Sequence, residues 1–329
     1  MHPTAIKVTV NGNDITTTIN DRLESLQVTD NAGIDSDTIA ITLDDRDQAI
    51  ALPRIDADIE VWFGPIINGT PQLTWAGIYT IDEIETDDHQ GTLSIHGKAA
   101  NMVGGLKAPR DQSYHDITLG QLLTTIAKRH GYTAAIPDTL ANKHYPHIDQ
   151  RTQADIDLLT SKATELDAIC KPTGKRLCII QQDSSQTISG KPLEEIPLNA
   201  KTEGVYITAK ITGRSHYNSV KAYWQKPDAP TKRSLSIGGK EPQYTMADIY
   251  PTHQQASDAI DAKFKQLKRG GTELTIELPF NPKYRAEHTV KLFNHRHAGR
   301  YVIKETTHHI GSGNLATTTV TLKEPSKKE

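Results

Sequence analysis

The strongest constraint on the fold is an alternation of apolar and polar residues through the first hundred positions. Apolar side chains recur at every second residue in several short runs, such as Ile39, Ile41 and Leu43. This period is typical of strands with one buried face. Turn-forming residues such as Asn11-Gly12 separate the runs, and we expect no helix among them. The segment therefore predicts a closed antiparallel barrel or a sandwich, and closure would also remove exposed strand edges.

A helical period appears further along the chain. Thr118 and Gln121 have the spacing of a capping box, and Gly131 is the predicted stop of the helix that follows. A second helix is predicted to begin at Thr152 with Asp155, in the same way, and to continue through Ile169 until Pro172. A strand hairpin is expected beside these helices. The segment thus predicts a small α+β unit that interrupts the β pattern.

Alternation returns in the last third, together with one more helix at 252–269 that opens on a capping box. The stretches 181–198 and 226–244 are rich in Gly, Pro, Ser and Lys, which predicts long loops or extended connections. The expected fold class is mainly β with an α+β insertion: two β-barrel domains plus a small helical domain. The predicted domains are a first β-barrel at 1–110, an α+β insertion at 111–200, and a second β-barrel at 201–329 that contains the helix.

Charge is divided unevenly between the two parts of the chain. The 329 residues carry a formal net charge of -3, yet residues 1–100 hold 17 acidic and 5 basic side chains, a net of -12. The remainder has a net charge of +9. Three interpretations fit such asymmetry: two solvated faces, complementary surfaces that meet between subunits, or a basic surface for nucleic acid. The basic residues are scattered and no aromatic-rich RNA-binding strand accompanies them, so nucleic-acid binding is the weaker of the two functional interpretations.

The motifs of common enzyme classes are missing from the sequence. It contains no phosphate-binding loop, dinucleotide fingerprint, zinc-protease helix or serine-hydrolase elbow. His295 and His297 have the spacing of two ligands on one strand face, but their segment is more simply a polar hairpin tip. Cys170 and Cys178 are expected to be reduced thiols. We therefore predict no catalytic residues, no cofactor and no metal.

Membrane insertion and secretion are also unexpected. The apolar stretches end long before the roughly 20 residues that a bilayer requires. The N-terminal segment lacks the apolar core of a secretory signal. We expect the chain to remain in the compartment where it is made.

Beyond these patterns, several residues occur in a characteristic order and spacing: Trp75, Gly77, Tyr79, Asp82, Lys107, Pro109, Arg110, Gly131, Asp149, Gln150 and Trp224. Together they resemble the phage late control D protein family, the tail hub proteins of contractile phages. The resemblance covers nearly the whole chain and rests on the order and spacing of many motifs rather than on one short signature. We interpret these family-signature residues as structural, since the family has no catalytic residues to transfer.

The resemblance implies two related β-barrel tube domains with a helical insertion, as in the N-terminal hub region of VgrG proteins. It implies a homotrimer whose six barrels join a hexameric tail tube to a trimeric central spike, in contact with the tube protein, the spike protein and further tape-measure or baseplate wedge proteins. Because the chain ends soon after its last predicted strand, we expect the spike to be a separate polypeptide. The hub would be made in the bacterial host cytoplasm and assembled into the virion tail baseplate.

Three alternatives remain open at this level. The chain resembles equally the hub of a bacteriocin or type VI-like injection particle. A cell-wall or polysaccharide-binding tail-tip module, hydrolytic or not, would need exposed aromatic residues or paired carboxylates in a cleft. A nucleic-acid-binding regulator would need strongly salt-dependent DNA affinity, which the net acidic charge disfavours.

Overall fold

Strands dominate the architecture of the chain. The computed structural model describes residues 3–32, 35–99, 105–173, 175–187, 189–212, 217–226, 229–269, 271–314 and 316–325. The first β unit consists of β1 (Thr4–Val10), β2 (Asn13–Asp14), α1 (Thr16–Arg22), β3 (Leu23–Asn31), β4 (Thr38–Asp44), β5 (Asp58–Ile67), β6 (Thr70–Pro71), β7 (Thr74–Asp87) and β8 (Thr92–Lys98).

The insertion unit follows. It consists of β9 (Pro109–Thr118), α2 (Leu119–Arg129), β10 (Thr133–Ala135), α3 (Asp138–Ala141), β11 (His144–Ala154), α4 (Asp155–Thr164), β12 (Ala168–Thr173) and β13 (Arg176–Gln181). The rest of the chain, the second β unit and its helical appendage, contains β14 (Ile196–Asn199), β15 (Tyr206–Ile211), β16 (Ser219–Trp224), β17 (Arg233–Gly238), β18 (Gln243–Tyr250), α5 (His253–Lys268), β19 (Thr272–Pro279), β20 (Thr289–Phe293), β21 (Gly299–Gly311), a 3-10 turn (Ser312–Asn314) and β22 (Ala316–Lys323).

The alternating runs of the first β unit form strands, as their period predicts. On β4, for example, Ile39, Ile41 and Leu43 are buried while the residues between them are partly exposed. These side chains belong to one hydrophobic cluster shared by β1, β3, β5, β7 and β8. The expectation that no helix interrupts these strands is wrong, because α1 lies between β2 and β3.

Tertiary contacts explain why so short a helix as α1 forms. Seven residues are too few to be helical on their own. Ile19 is buried in the hydrophobic cluster of the first β unit. The backbone N–H of Thr16 donates to Asp14 Oδ1 at 2.9 Å, and the Thr16 hydroxyl accepts from the backbone N–H of Val8 at 3.1 Å. None of these contacts has a signature in the hydrophobic period.

The insertion unit has its own hydrophobic cluster, between Leu106 and Ile179. The predicted capping box of α2 is confirmed, with Thr118 and Gln121 bonded to each other reciprocally. Gly131 follows the helix with φ 74°, in the left-handed region that glycine adopts readily. Strands β9 and β11 pair as an antiparallel ribbon, and β10, β13 and β12 form a three-stranded sheet.

The prediction for α4 is wrong at both ends. The residue before the helix is Ala154, with no side-chain cap, because β11 runs up to that position. Thr152 itself has φ 46°, and its backbone N–H donates to Asp111 Oδ1 at 2.7 Å. The helix ends at Thr164, and Ile169 lies on β12, where pairing with β13 replaces the helical period.

Two hydrophobic clusters occupy the last third of the described chain. One lies among β14, β15, β19, β20, β21 and β22. The other lies between α5 and a separate sheet of order β17-β16-β18. The helix predicted at 252–269 is confirmed, with Thr252 accepting from the backbone N–H of Gln255. The long loop predicted at 226–244 is wrong in part, because Arg233–Gly238 pairs with β16 as β17.

One continuous 14-stranded sheet joins the two β units. Its main path is β15-β19-β22-β21-β3-β4-β8-β7-β5-β1-β2, so β21 of the second unit pairs with β3 of the first along Ser25–Asn31. Ile310 and Ala316 reach the hydrophobic cluster of the first unit. Among the strands described, this path has ends at β2 and β15 and does not return on itself. The fold is therefore mainly β with an α+β insertion, and its two β-barrel units are joined through one sheet.

Candidate functional site

Within the described residues, no group of three or more His, Cys, Asp or Glu side chains is placed to hold a metal ion. His295 and His297 lie in the turn between β20 and β21, where His295 Nδ1 accepts a hydrogen bond from the backbone N–H of His297. No helix in the described ranges is long and apolar enough to span a bilayer. The candidate functional features described below are the joints between units and the surfaces that the units expose.

Four family-signature residues lie on β7. A Cβ atom at Gly77 would lie 2.6 Å from the hydroxyl oxygen of Tyr79, which is 2% exposed and has no room to move. Trp75 is 38% exposed, and its Nε1 donates to Glu60 Oε1 at 2.8 Å. Asp82 forms an ion pair with the neighbouring strand β8. These contacts hold β7 against its neighbours inside the first β unit.

Two more family-signature residues surround a buried carboxylate in the insertion unit, that of Asp155 at the start of α4. Its Oδ2 lies 2.7 Å from both Arg129 Nη1 and His130 Nε2. Gln150 Nε2 donates to Oδ1 at 2.8 Å, and Arg110 Nε lies 3.3 Å from Oδ2.

Electrostatics favours the charged form of this carboxylate. Burial by itself raises the pKa of Asp155, but the hydrogen bonds from Gln150, His130 and Arg129 outweigh burial and hold its pKa below the ordinary value. This Asp155 cluster ties together β9, α2, β11 and α4.

The other family-signature residues lie apart from these two groups. Lys107 and Pro109 are exposed where the chain enters β9, and Gly131 follows α2. Asp149 is on β11, and the ring of Trp224 on β16 packs edge-on against the first residue of α5. The structure therefore brings Arg110 and Gln150 together around Asp155 and places the remainder at separate positions.

A second group of charges, of which Lys171 and Glu287 are buried and Asp30 and Asp37 half-buried, lies where the insertion unit meets both β units. Lys171 Nζ on β12 is 3.0 Å from Asp37 Oδ1 and 3.8 Å from Asp30 Oδ1, and it donates to the Asn31 carbonyl. Burial, and then the charge of Asp37, raise the pKa of Asp30 to about 6. Burial raises the pKa of Glu287 to about 7, and its carboxylate lacks a close hydrogen-bond donor among the described residues. We call this group the three-unit junction.

Beside the junction, a neighbouring ion network attaches the end of α5. Arg269 Nη2 donates to Asp167 Oδ2 and its Nε to Asp183 Oδ2, both at 2.6 Å. Lys323 Nζ on β22 lies 2.9 Å from Asp183 Oδ1. On the other side of the insertion, Lys143 Nζ donates to Asp258 on α5 at 2.9 Å. The insertion is therefore fixed to its neighbours by charge at several points.

The exposed surface contains two features suited to contact with other subunits. Glu83, Glu85 and Asp88 are exposed on β7 and in the turn after it, and we call them the acidic surface. At one end of the 14-stranded sheet, β15 carries Tyr206 and Ile211, which are 69% and 67% exposed. A strand edge and large exposed apolar side chains are both features of protein contact surfaces.

Sequence reasoning missed the residues that form the joints. Lys171 had a signal, because it interrupts the otherwise apolar run of β12, where a lysine must be paired to be buried. Glu287, Arg129 and His130 had none, since their partners are remote in sequence and nothing in the local pattern identifies them.

Known proteins resemble this chain in sequence and in fold, although no protein-family model matches it. A probable baseplate hub protein of Escherichia phage 186 is 31% identical over 315 residues, which cover 83% of this chain and 80% of that protein. The crystal structure of a 43 kDa tail protein of prophage MuSo2 from Shewanella oneidensis superposes with a TM-score of 0.70 at 12% identity, over 97% of this chain and 98% of that one.

A component of the type VI secretion system of E. coli has the same fold, with a TM-score of 0.58 and 10% identity over 100% of this chain and 78% of that one. These two structural matches support the fold alone. The relationship in sequence to the phage 186 protein goes further, because it spans most of both chains. The chain belongs to the phage late control D family of baseplate hub proteins.

Proposed function

We propose that the chain is a trimeric adaptor that joins the hexameric tail tube to a separate trimeric spike and acts without catalysis. The observation that carries this proposal is the continuous sheet through β21 and β3. It holds two β units of one chain in a fixed relation, and the three-unit junction adds the insertion to the same frame. Three such chains would present six β units to a hexameric tube and three copies of any one surface to a spike.

The proposed division is a first tube domain at 1–110, an insertion at 111–200 and a second tube domain at 201–329. Separate hydrophobic clusters in the first β unit, the insertion and the second β unit support a division into three units. Two residues depart from these bounds, because Leu106 packs in the cluster of the insertion and Leu198 on β14 packs in that of the second β unit. The acidic surface would face the more basic remainder of the next chain around the ring, because the two parts carry net charges of -12 and +9. Synthesis in the host cytoplasm, followed by contact with tape-measure and wedge proteins, completes the proposal.

Light scattering tests the oligomeric state. The purified chain is measured alone and then with the tube and spike proteins of the same particle. We expect a mass about three times the 36.3 kDa of one chain, alone or when the spike is added. A chain that stays monomeric and binds neither protein would contradict the adaptor.

Charge reversal tests the proposed contact between chains. Glu60 is unsuitable because its carboxylate accepts from Trp75, whereas Glu83 and Glu85 of the acidic surface are exposed. We expect the double variant Glu83→Lys, Glu85→Lys to weaken the trimer and to reduce its sensitivity to salt. The matched control, Asp157→Lys with Glu203→Lys, reverses two exposed charges outside the first β unit and should leave the trimer unchanged. Equal behaviour of the two variants would show that the acidic surface has no role.

A further inference from the structure

Two histidines face each other across the exposed ribbon of β9 and β11. His115 and His147 are directly paired in the strand register, although 32 residues separate them in sequence. Their Nδ1 atoms lie 3.0 Å apart, and their rings are tilted by 39° with centroids 4.6 Å apart. Two ring nitrogens thus converge on one point at the surface.

The distance between the two Nδ1 atoms is close to that between two imidazole ligands of one metal ion. A zinc–imidazole bond is about 2.0–2.1 Å long, so two nitrogens on one tetrahedral ion lie ~3.3 Å apart. The observed 3.0 Å requires only small ring rotations to reach that value. Both side chains are exposed, so a hydrated ion can reach them.

The other ring nitrogen of His147 contacts a carboxylate, as histidine ligands of metals usually do. Its Nε2 lies 2.8 Å from Asp149 Oδ1. The carboxylate is itself oriented, since Ser113 Oγ donates to Oδ1 at 2.7 Å and Arg151 Nη2 donates to Oδ2 at 2.9 Å. With Nε2–H of His147 donating to this carboxylate, its Nδ1 carries the lone pair that can bind a metal.

Other histidine pairs of the described chain lack this arrangement. His295 Nδ1 is occupied by a backbone N–H in its turn. On the same ribbon, His144 Nε2 lies 2.7 Å from Asp116 Oδ1, and His144 pairs in register with a threonine rather than with a second histidine. His115 and His147 therefore differ from these histidines and form the candidate metal site.

We propose that His115 and His147 bind one divalent first-row transition-metal ion, such as Zn²⁺, through their Nδ1 atoms, with Asp149 as the positioning residue behind His147. No third His, Cys, Asp or Glu of the described residues completes the set, so water fills the remaining coordination positions. Imidazole ligands select ions such as Zn²⁺ over Mg²⁺ and Ca²⁺, which prefer oxygen. A bound ion would bridge β9 and β11 at the outer face of the ribbon.

Calorimetric titration of the untagged full chain with zinc chloride tests the site. We expect one ion to bind per chain, and His115→Ala or His147→Ala to abolish that binding. Asp149→Asn should weaken it by about tenfold, as loss of such an outer hydrogen bond does at other zinc sites. Magnesium chloride should give no binding.

The matched control is His144→Ala, which removes a histidine of similar exposure from the same ribbon and should leave zinc affinity unchanged. Imidazole NMR signals give a second measurement, since zinc should shift those of His115 and His147 before any others. The proposal is overturned if no zinc binds, if binding survives both alanine variants, or if the first signals to shift belong to other histidines.

Discussion

The pKa values of two buried carboxylates of this chain are shifted in opposite directions. Asp155 is fully buried, yet its pKa lies below the ordinary value, because Gln150, His130 and Arg129 bond to it. Glu287 is 8% exposed and burial raises its pKa to about 7. Burial alone would raise both values, so the number of hydrogen-bond donors decides the sign.

The two sites differ because of where they lie in the fold. Asp155 is inside one unit, where β9, α2, β11 and α4 can all direct donors at it. Glu287 lies in the loop between β19 and β20, with φ 66°, and its nearest charges are Lys323, Asp183 and Lys171 from other elements. At Glu287 the neighbouring charges do not offset the effect of burial. The Asp155 cluster therefore holds a unit together, whereas the three-unit junction carries a charge that the fold tolerates poorly.

The largest expected effect comes from neutralising the carboxylate with many donors. Asp155→Asn leaves the Arg129 and Arg110 guanidinium groups without their anion. Removing one partner of a buried ion pair costs about 3–5 kcal/mol, and we expect a loss of unfolding free energy in that range. Urea denaturation followed by circular dichroism measures it.

Asp157 on the same helical turn provides the control. Its side chain is exposed, so Asp157→Asn should cost less than about 1 kcal/mol, through the helix dipole alone. If the two variants lose similar stability, the Asp155 cluster does not hold the unit together and the comparison fails.

A smaller effect is expected at Glu287, and it depends on pH. An acid with a higher pKa in the folded chain binds its proton more tightly when folded. The folded state is therefore stabilised as pH falls from 8 through about 7 towards the ordinary value of 4.5, and this contribution is lost again as pH rises. Between pH 8 and pH 5 the contribution amounts to about 2–3 kcal/mol.

The variant Glu287→Gln removes this titration while keeping the shape of the side chain. Urea denaturation of both proteins at pH 8 and pH 5 measures this. The unfolding free energy of the variant, relative to that of the native chain, should be higher at pH 8 than at pH 5. Asp30, whose pKa is raised to about 6, remains in both proteins and cancels in the difference. A difference that does not change with pH would mean that Glu287 is not a strained charge.

The sequence predicted local elements better than it predicted joints. Strand alternation, the caps at Thr118 and Thr252 and the stop at Gly131 each depend on residues close in sequence, and each is confirmed. Helix α1 and the true ends of α4 depend on Ile19 in a remote core and on pairing of β12, so the local period could not predict them.

The sites follow the same division. The family-signature residues were predicted from ordered motifs, and the structure gathers only Arg110 and Gln150 of them around one carboxylate. The His115 and His147 pair was invisible in sequence because it arises from strand register, whereas the obvious pair of the sequence, in the turn after β20, is occupied by its own backbone.

The smallest expected effect comes from removing a single hydrogen-bond donor of Asp155, which tests how far each donor lowers its pKa. Gln150→Leu removes the amide that bonds to Asp155 Oδ1 and to the Gln153 carbonyl, each at 2.8 Å. We expect a loss of about 1–2 kcal/mol of unfolding free energy and an acid-unfolding midpoint at higher pH, since the pKa of Asp155 would rise towards its ordinary value. The double variant with Asp155→Asn should lose less unfolding free energy than the sum of the two single losses, because the donor and acceptor belong to one network. Full additivity would mean that Gln150 acts apart from the carboxylate, and that the low pKa of Asp155 comes from Arg129 and His130 alone.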